Sequence, residues 1–123
     1  MAYSIRVDAE RRVVLVVVRD PCDASGAGAL ITSARQAAAE SGFGVLYDIR
    51  AARQGDVQSS DVFWWPRSIP VLQDPAARRV RAAVLHGPQH RALVQFWETA
   101  FRNLGFPASA FEDEELALQW LSG

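Results

Sequence analysis

The chain has 123 residues, 50% of them hydrophobic and 22% charged, with a formal net charge of −1. That length and balance fit one domain, residues 1–123, with a single core, and exclude a disordered chain. A charge so near zero gives no field to recruit nucleic acid or an anionic membrane, and a single cysteine, Cys22, excludes an intrachain disulfide and any multi-cysteine metal site.

The opening MAYSIRVDAERR has no basic segment leading into a long apolar run, so no signal peptide is expected. The longest apolar run, Val13–Val18, is too short to span a bilayer, and a cytoplasmic protein with no integral membrane segment is the expectation. All thirteen basic residues are arginine, a bias to which no functional weight is given.

In chain order, Tyr3–Asp8 (YSIRVD) alternates apolar and polar residues and predicts a half-exposed strand. A tight connection at 9–11 leads into 12–18, read as a strand buried on both faces and antiparallel to the first. Asp20 and Pro21 stop it. Asp23 or Ser25 can cap a helix to about Ser41, with Gly42 just past its end. Its apolar positions, Ala27, Leu30, Ile31, Ala34 and Ala38, follow helical spacing and are mostly small.

Residues 45–49 read as a central strand, followed by a polar loop. Ser60 can cap a second helix, and Pro66 and Pro70 limit it to a short piece, a kink at Trp65 and Pro66, and a turn or two beyond. Asp74 and Pro75 read as the cap and first residue of another turn. Residues 80–86 (VRAAVLH) predict the fourth strand. Pro88 can open a third long helix ending near Leu104, with Gly105 past it. On that helix Leu93, Phe96, Trp97, Ala100, Phe101 and Leu104 form a broad apolar stripe. A short strand at Ala108–Phe111 and a helix from about Asp113 to Leu121 follow. The order β-β-α-β-α-β-α-β-α implies an α/β domain with about four helices and a five-stranded, mixed but mostly parallel sheet, its first strand antiparallel at one edge.

The hairpin YSIRVDAERRVVLVVV, the strands VLYDIRAA and RRVRAAVLH, and above all the ending FRNLGFPASAFEDEELALQWL resemble the SpoIIAA-like group. These are small bacterial proteins related to the STAS domains of anti-sigma-factor antagonists, with a distant fold similarity to CRAL-TRIO lipid-transfer domains. The resemblance spans almost the whole chain. Its most specific part is the ending, where a helix, Asn-Leu-Gly, a short strand, an acidic turn and Ala-Leu-x-Trp-Leu follow in order. It implies the STAS-like fold, and most members have no assigned activity. In antagonist STAS domains an Asp-Ser-Ser-Gly-Leu turn after the third strand carries a phosphorylatable serine. Here Ser59, Ser60 and Asp61 also precede a helix start, but about ten residues after the strand and without Gly-Leu. A phosphate there would add about −1.5 to −2 charges at a helix N-terminus that tolerates them; the plainer reading is that Ser60 caps the helix.

In open α/β sheets ligands bind outside the carboxyl ends of the strands. Asp48 and Arg50 end the third strand, His86 ends the fourth, His90 lies in the first turn of the helix after it, and Asp20, Cys22 and Asp113 fall at equivalent edges. Ser60, His86 and Asp48 can be assembled on paper into nucleophile, base and orienter. The elbow and glycine-rich turn that such chemistry brings are missing. The reading is therefore that Asp48 pairs with Arg50 or Arg53, that the histidines are surface groups, and that neither catalysis, metal nor cofactor is expected.

Phe63, Trp64 and Trp65 cannot all face one core, because neighbours on a helix lie about 100° apart. At least one must be partly exposed or covered by a partner or ligand, unless they bury against Trp97 and Phe101. The leading expectation is a non-catalytic binding or regulatory domain, a homodimer through the kinked aromatic segment, with a regulatory protein as further partner. The alternatives are a small hydrophobic-ligand or lipid carrier, with the aromatic segment as a lid, and a partner switch phosphorylated at Ser59 or Ser60.

Overall fold

The computed structural model describes residues 3–19, 24–53 and 55–123. Its strands are β1 (Tyr3–Asp8), β2 (Val13–Val18), β3 (Gly44–Asp48), β4 (Ala82–Leu85) and β5 (Ala108–Phe111). Its helices are α1 (Ala24–Ser41), α2 (Ser59–Ser68), α3 (Arg91–Arg102) and α4 (Glu114–Ser122), with 3-10 turns at Pro70–Gln73, Pro75–Arg79 and Pro88–His90. The fold class is the expected one: the sheet runs β1-β2-β3-β4-β5, with β1 antiparallel to β2 and every later pair parallel.

A strand order that follows the chain has a consequence for the layers. Each parallel crossover must be right-handed, so α1, α2 and α3 are all carried to one face of the sheet. On that face Val14, Val16, Val18, Val45, Tyr47, Val84 and Ala108 meet Leu30, Ile31, Ala34, Val62, Trp97 and Phe101 to form the larger core. Only α4 covers the other face, where Val13, Leu46, Ala83 and Leu85 pack with Ala117. Both faces of β2, β3 and β4 are thus covered, which is why these strands read as apolar runs.

Helix ends follow the expected chemistry in places. Gly42 (φ 77) and Gly105 (φ 88) take the left-handed conformation that ends α1 and the turn after α3. Asp74 accepts from the Ala76 N–H at 3.0 Å, and Asp113 from the Leu116 N–H at 3.1 Å. Arginines finish two more ends: Arg78 donates to the Leu104 carbonyl, and Arg81 to the Trp120 carbonyl at 2.5 Å.

Several boundaries differ from expectation. Arg12 belongs to the hairpin turn, not to β2, and holds φ 58. β3 begins at Gly44 and stops at Asp48, and β4 is confined to Ala82–Leu85. Ser25 is the second residue of α1 rather than its cap; Asp20, Pro21, Cys22 and Asp23 lie outside the described residues. Ser60 does not cap α2. The chain is still extended at Gln58, which is the cap, and the Asp61 carboxylate reaches back to accept the Gln58 N–H at 2.8 Å. Pro66 lies inside α2, and the helix carbonyls of Phe63 and Trp64 are taken by Arg67 Nη1 and Ser68 Oγ, each at 2.7 Å. On α3 the buried side is Val94, Trp97 and Phe101, while Phe96 is exposed, so the broad stripe is narrower than its composition.

The two edges of the sheet are treated differently. Along β5, Glu98 accepts the Ala110 N–H at 2.6 Å and Arg102 Nε donates to the Ala108 carbonyl at 2.6 Å. These side chains, one turn apart on α3, occupy backbone groups that would otherwise invite another strand. β1 has β2 on one side and no described strand on the other.

Candidate ligand-binding cavity

The helices on the larger face do not tile it evenly. α1 lies along β1, β2 and β3, α3 lies against β5, and α2 packs chiefly on α3 and on the 3-10 turn that follows it. The carboxyl-end half of the β3–β4 strip is therefore roofed by a helix held off the sheet. Beneath it is a cavity of about 320 Å³. Interiors rarely leave voids much larger than a water molecule, whereas ligand pockets begin at about 300 Å³.

Its walls are apolar. α1 contributes Ala27, Leu30 and Ile31; the sheet Val18, Tyr47 and Val84; α2 Val62 and Trp65; α3 Val94, Trp97 and Phe101. Exposed lining residues, Arg53, Gly55, Gln89 and Ala92, mark the opening, which lies at the carboxyl ends of β3 and β4. This is where open α/β sheets take ligands. The rim is tied together: His90 Nε2 is 2.8 Å from the Ala52 carbonyl, and Gln89 Nε2 donates to the Arg50 carbonyl at 3.2 Å.

The deep end is polar at two points. Arg35 is 2% exposed and Tyr47 is 7% exposed. Arg35 Nη1 donates to the Ala77 carbonyl at 3.0 Å, and the guanidinium lies 5.7 Å from the Phe106 ring centre. Arg35 Nε and Tyr47 Oη are both buried without a hydrogen-bond partner. Burial pushes the Tyr47 phenol up, and the Arg35 guanidinium beside it, by its charge and as a nearby donor, acts in the opposite direction. A buried polar group without a partner costs about 1–3 kcal/mol, and more when charged. No sequence argument singled out these two residues. The available signal was a charge one turn after Ile31 on an apolar helix face, and a phenol within the apolar run of β3.

The residues expected at the sheet edge do not assemble into one centre. Asp48 is held by Arg50 through Nε at 3.0 Å, Nη2 at 2.9 Å and the backbone N–H at 3.1 Å. Burial pushes the Asp48 carboxyl up, but the Arg50 hydrogen bonds and charge together outweigh it and hold the group below the usual carboxylate range. His86 is not a surface group: it is 4% exposed, and its Nδ1 is 2.8 Å from the Gly87 carbonyl. His90 is engaged at the cavity rim. Ser59 and Ser60 are exposed in the first turn of α2, and no hydrogen bond joins Ser60 to His86 or Asp48. Among the described residues, no cluster of histidine, cysteine and carboxylate side chains could hold a metal, and no helix is long and apolar enough to cross a membrane.

The three consecutive aromatics divide. Trp65 is half-buried and forms part of the cavity wall, whereas Phe63 and Trp64 are 39% and 58% exposed. The exposed pair meets edge to face at 5.3 Å, and the Arg67 guanidinium sits 3.9 Å above the Phe63 ring. Comparison with family models, with curated proteins and with solved structures found no match.

Proposed function

We propose that this chain is a non-catalytic binding domain that holds a small, mainly apolar molecule between the sheet and its three crossover helices. The observation that carries this reading is the apolar cavity of about 320 Å³ opening at the carboxyl ends of β3 and β4. A non-catalytic role is supported by the engagement of Asp48, His86 and His90 with three different partners. A cytoplasmic setting and kinship with the SpoIIAA-like group belong to the same proposal; the element order supports the kinship.

The test uses 1-octanol as a neutral apolar probe. It should raise the Tm of the wild-type domain in a concentration-dependent way, since a ligand that binds only the folded state stabilises it. Ala27→Leu adds bulk to the cavity wall and should abolish that rise without lowering the starting Tm. No rise in the wild type, or an equal rise in Ala27→Leu, would overturn the proposal.

The exposed Phe63 and Trp64 support a second reading, in which this aromatic pair is a self-association surface of a homodimer. Trp64→Ala should then shift the sedimentation coefficient towards the monomer while circular dichroism shows the domain still folded. A wild-type protein that sediments as a monomer at high concentration would end this reading.

A further inference from the structure

Arg35 is a buried cation with no described counter-ion. Its hydrogen bonds go to two neutral carbonyls, Ala77 at 3.0 Å and Val80 at 3.4 Å, and it stacks near the Phe106 ring. No described carboxylate pairs with it. Burying a charge in this way is costly unless something pairs with it. The remaining guanidinium donor, Nε, lacks an acceptor, and so does the Tyr47 hydroxyl proton beside it. Both side chains line the buried end of a cavity whose other polar lining residues, Arg53, Gln89 and His90, lie at its opening.

Resting on the proposed ligand-binding role, we infer that the deep end accepts a carboxylate, so that the ligand is an amphipathic monocarboxylic acid bound head inward. One carboxylate oxygen accepts from Arg35 Nε–H and the other from the Tyr47 O–H, and the hydrocarbon tail runs between Ile31, Val62, Val84 and Trp97 towards the opening. Charge decides the class. A neutral amide or alcohol could accept one of these protons, but only an anion also balances the guanidinium, and charge-assisted hydrogen bonds are the stronger kind. The desolvation of Arg35 has already taken place on folding, so the site is preorganised and the ligand loses only its own hydration.

Octanoate and 1-octanol differ chiefly at the head and make the test direct. Titration calorimetry at neutral pH should show octanoate binding to the wild-type domain at least about tenfold more tightly than 1-octanol. Tyr47→Phe keeps the shape of the floor and should shrink that preference several-fold, with 1-octanol binding unchanged. Arg35→Met should remove the preference altogether; if that variant does not fold, Tyr47→Phe decides alone. Equal binding of the two probes to the wild type overturns the inference and leaves the apolar cavity as proposed. So does a preference that survives Tyr47→Phe but is lost in Arg53→Gln, because the head would then sit at the opening. Failure of both probes to bind overturns the binding role itself.

Discussion

Arg12 is the one described non-glycine residue with a positive φ, at 58°. The hairpin needs a left-handed residue there, because β1 and β2 pair from Asp8 with Val13 and four residues must reverse the chain. An L-residue in this conformation costs about 1–2 kcal/mol. Part of that is offset by the Arg12 guanidinium, 5.5 Å from the Phe43 ring, a contact worth about 0.5–1 kcal/mol at an exposed site. Arg12→Gly removes both terms, and the backbone term is the larger. Urea unfolding should therefore place the midpoint of Arg12→Gly slightly higher, by about 0.5 kcal/mol of stability with an unchanged slope. A lower midpoint would show that the ring contact outweighs the strain.

At the level of elements, α3 has two tasks that its sequence separates by face. Val94, Trp97 and Phe101 enter the core, and Glu98 with Arg102 reaches the backbone of β5. Glu98→Ala would leave the half-buried Ala110 N–H without an acceptor, at about 1–3 kcal/mol. Its Tm should fall by several degrees, and light scattering on mild heating should rise as β5 becomes available for pairing. Glu98→Gln, which still offers an oxygen, should recover most of the Tm. An Ala variant that scatters no more than the wild type would mean that Arg102 alone guards the strand. α2 illustrates the converse arrangement. It packs chiefly on α3 and on the 3-10 turn that follows it, and its inward side chains Val62 and Trp65 line the gap left above the sheet.

For the whole molecule, the features legible in the sequence are those set by local chemistry. Strand β5 spans Ala108–Phe111 as expected, Asp113 caps α4, and Gly42 and Gly105 mark helix ends, because periodicity and capping act over a few residues. The antiparallel position of β1 followed from the shortness of the turn between it and β2. The Ser60 cap failed because the helix begins two residues earlier, at Gln58, whose N–H is taken by Asp61, a choice among neighbours of similar propensity. Helix geometry alone leaves open whether the aromatic segment divides or is buried, because which ring turns inward depends on where α2 rests. The cavity was the least legible feature. It arises from the spacing of elements distant in the chain, and its floor brings together Arg35 and Tyr47, which no motif links.

The contrast between the two sheet edges also bears on how copies of this chain could join. Among the described residues, β5 has its outward backbone groups taken by α3 side chains while β1 has no strand beside it, so strand addition would use the β1 edge. Two copies meeting along β1 about a two-fold axis would use that edge of each, leaving the β5 edges on the outside. Such a pairing is self-terminating: the same asymmetry that permits a closed pair forbids a growing ribbon.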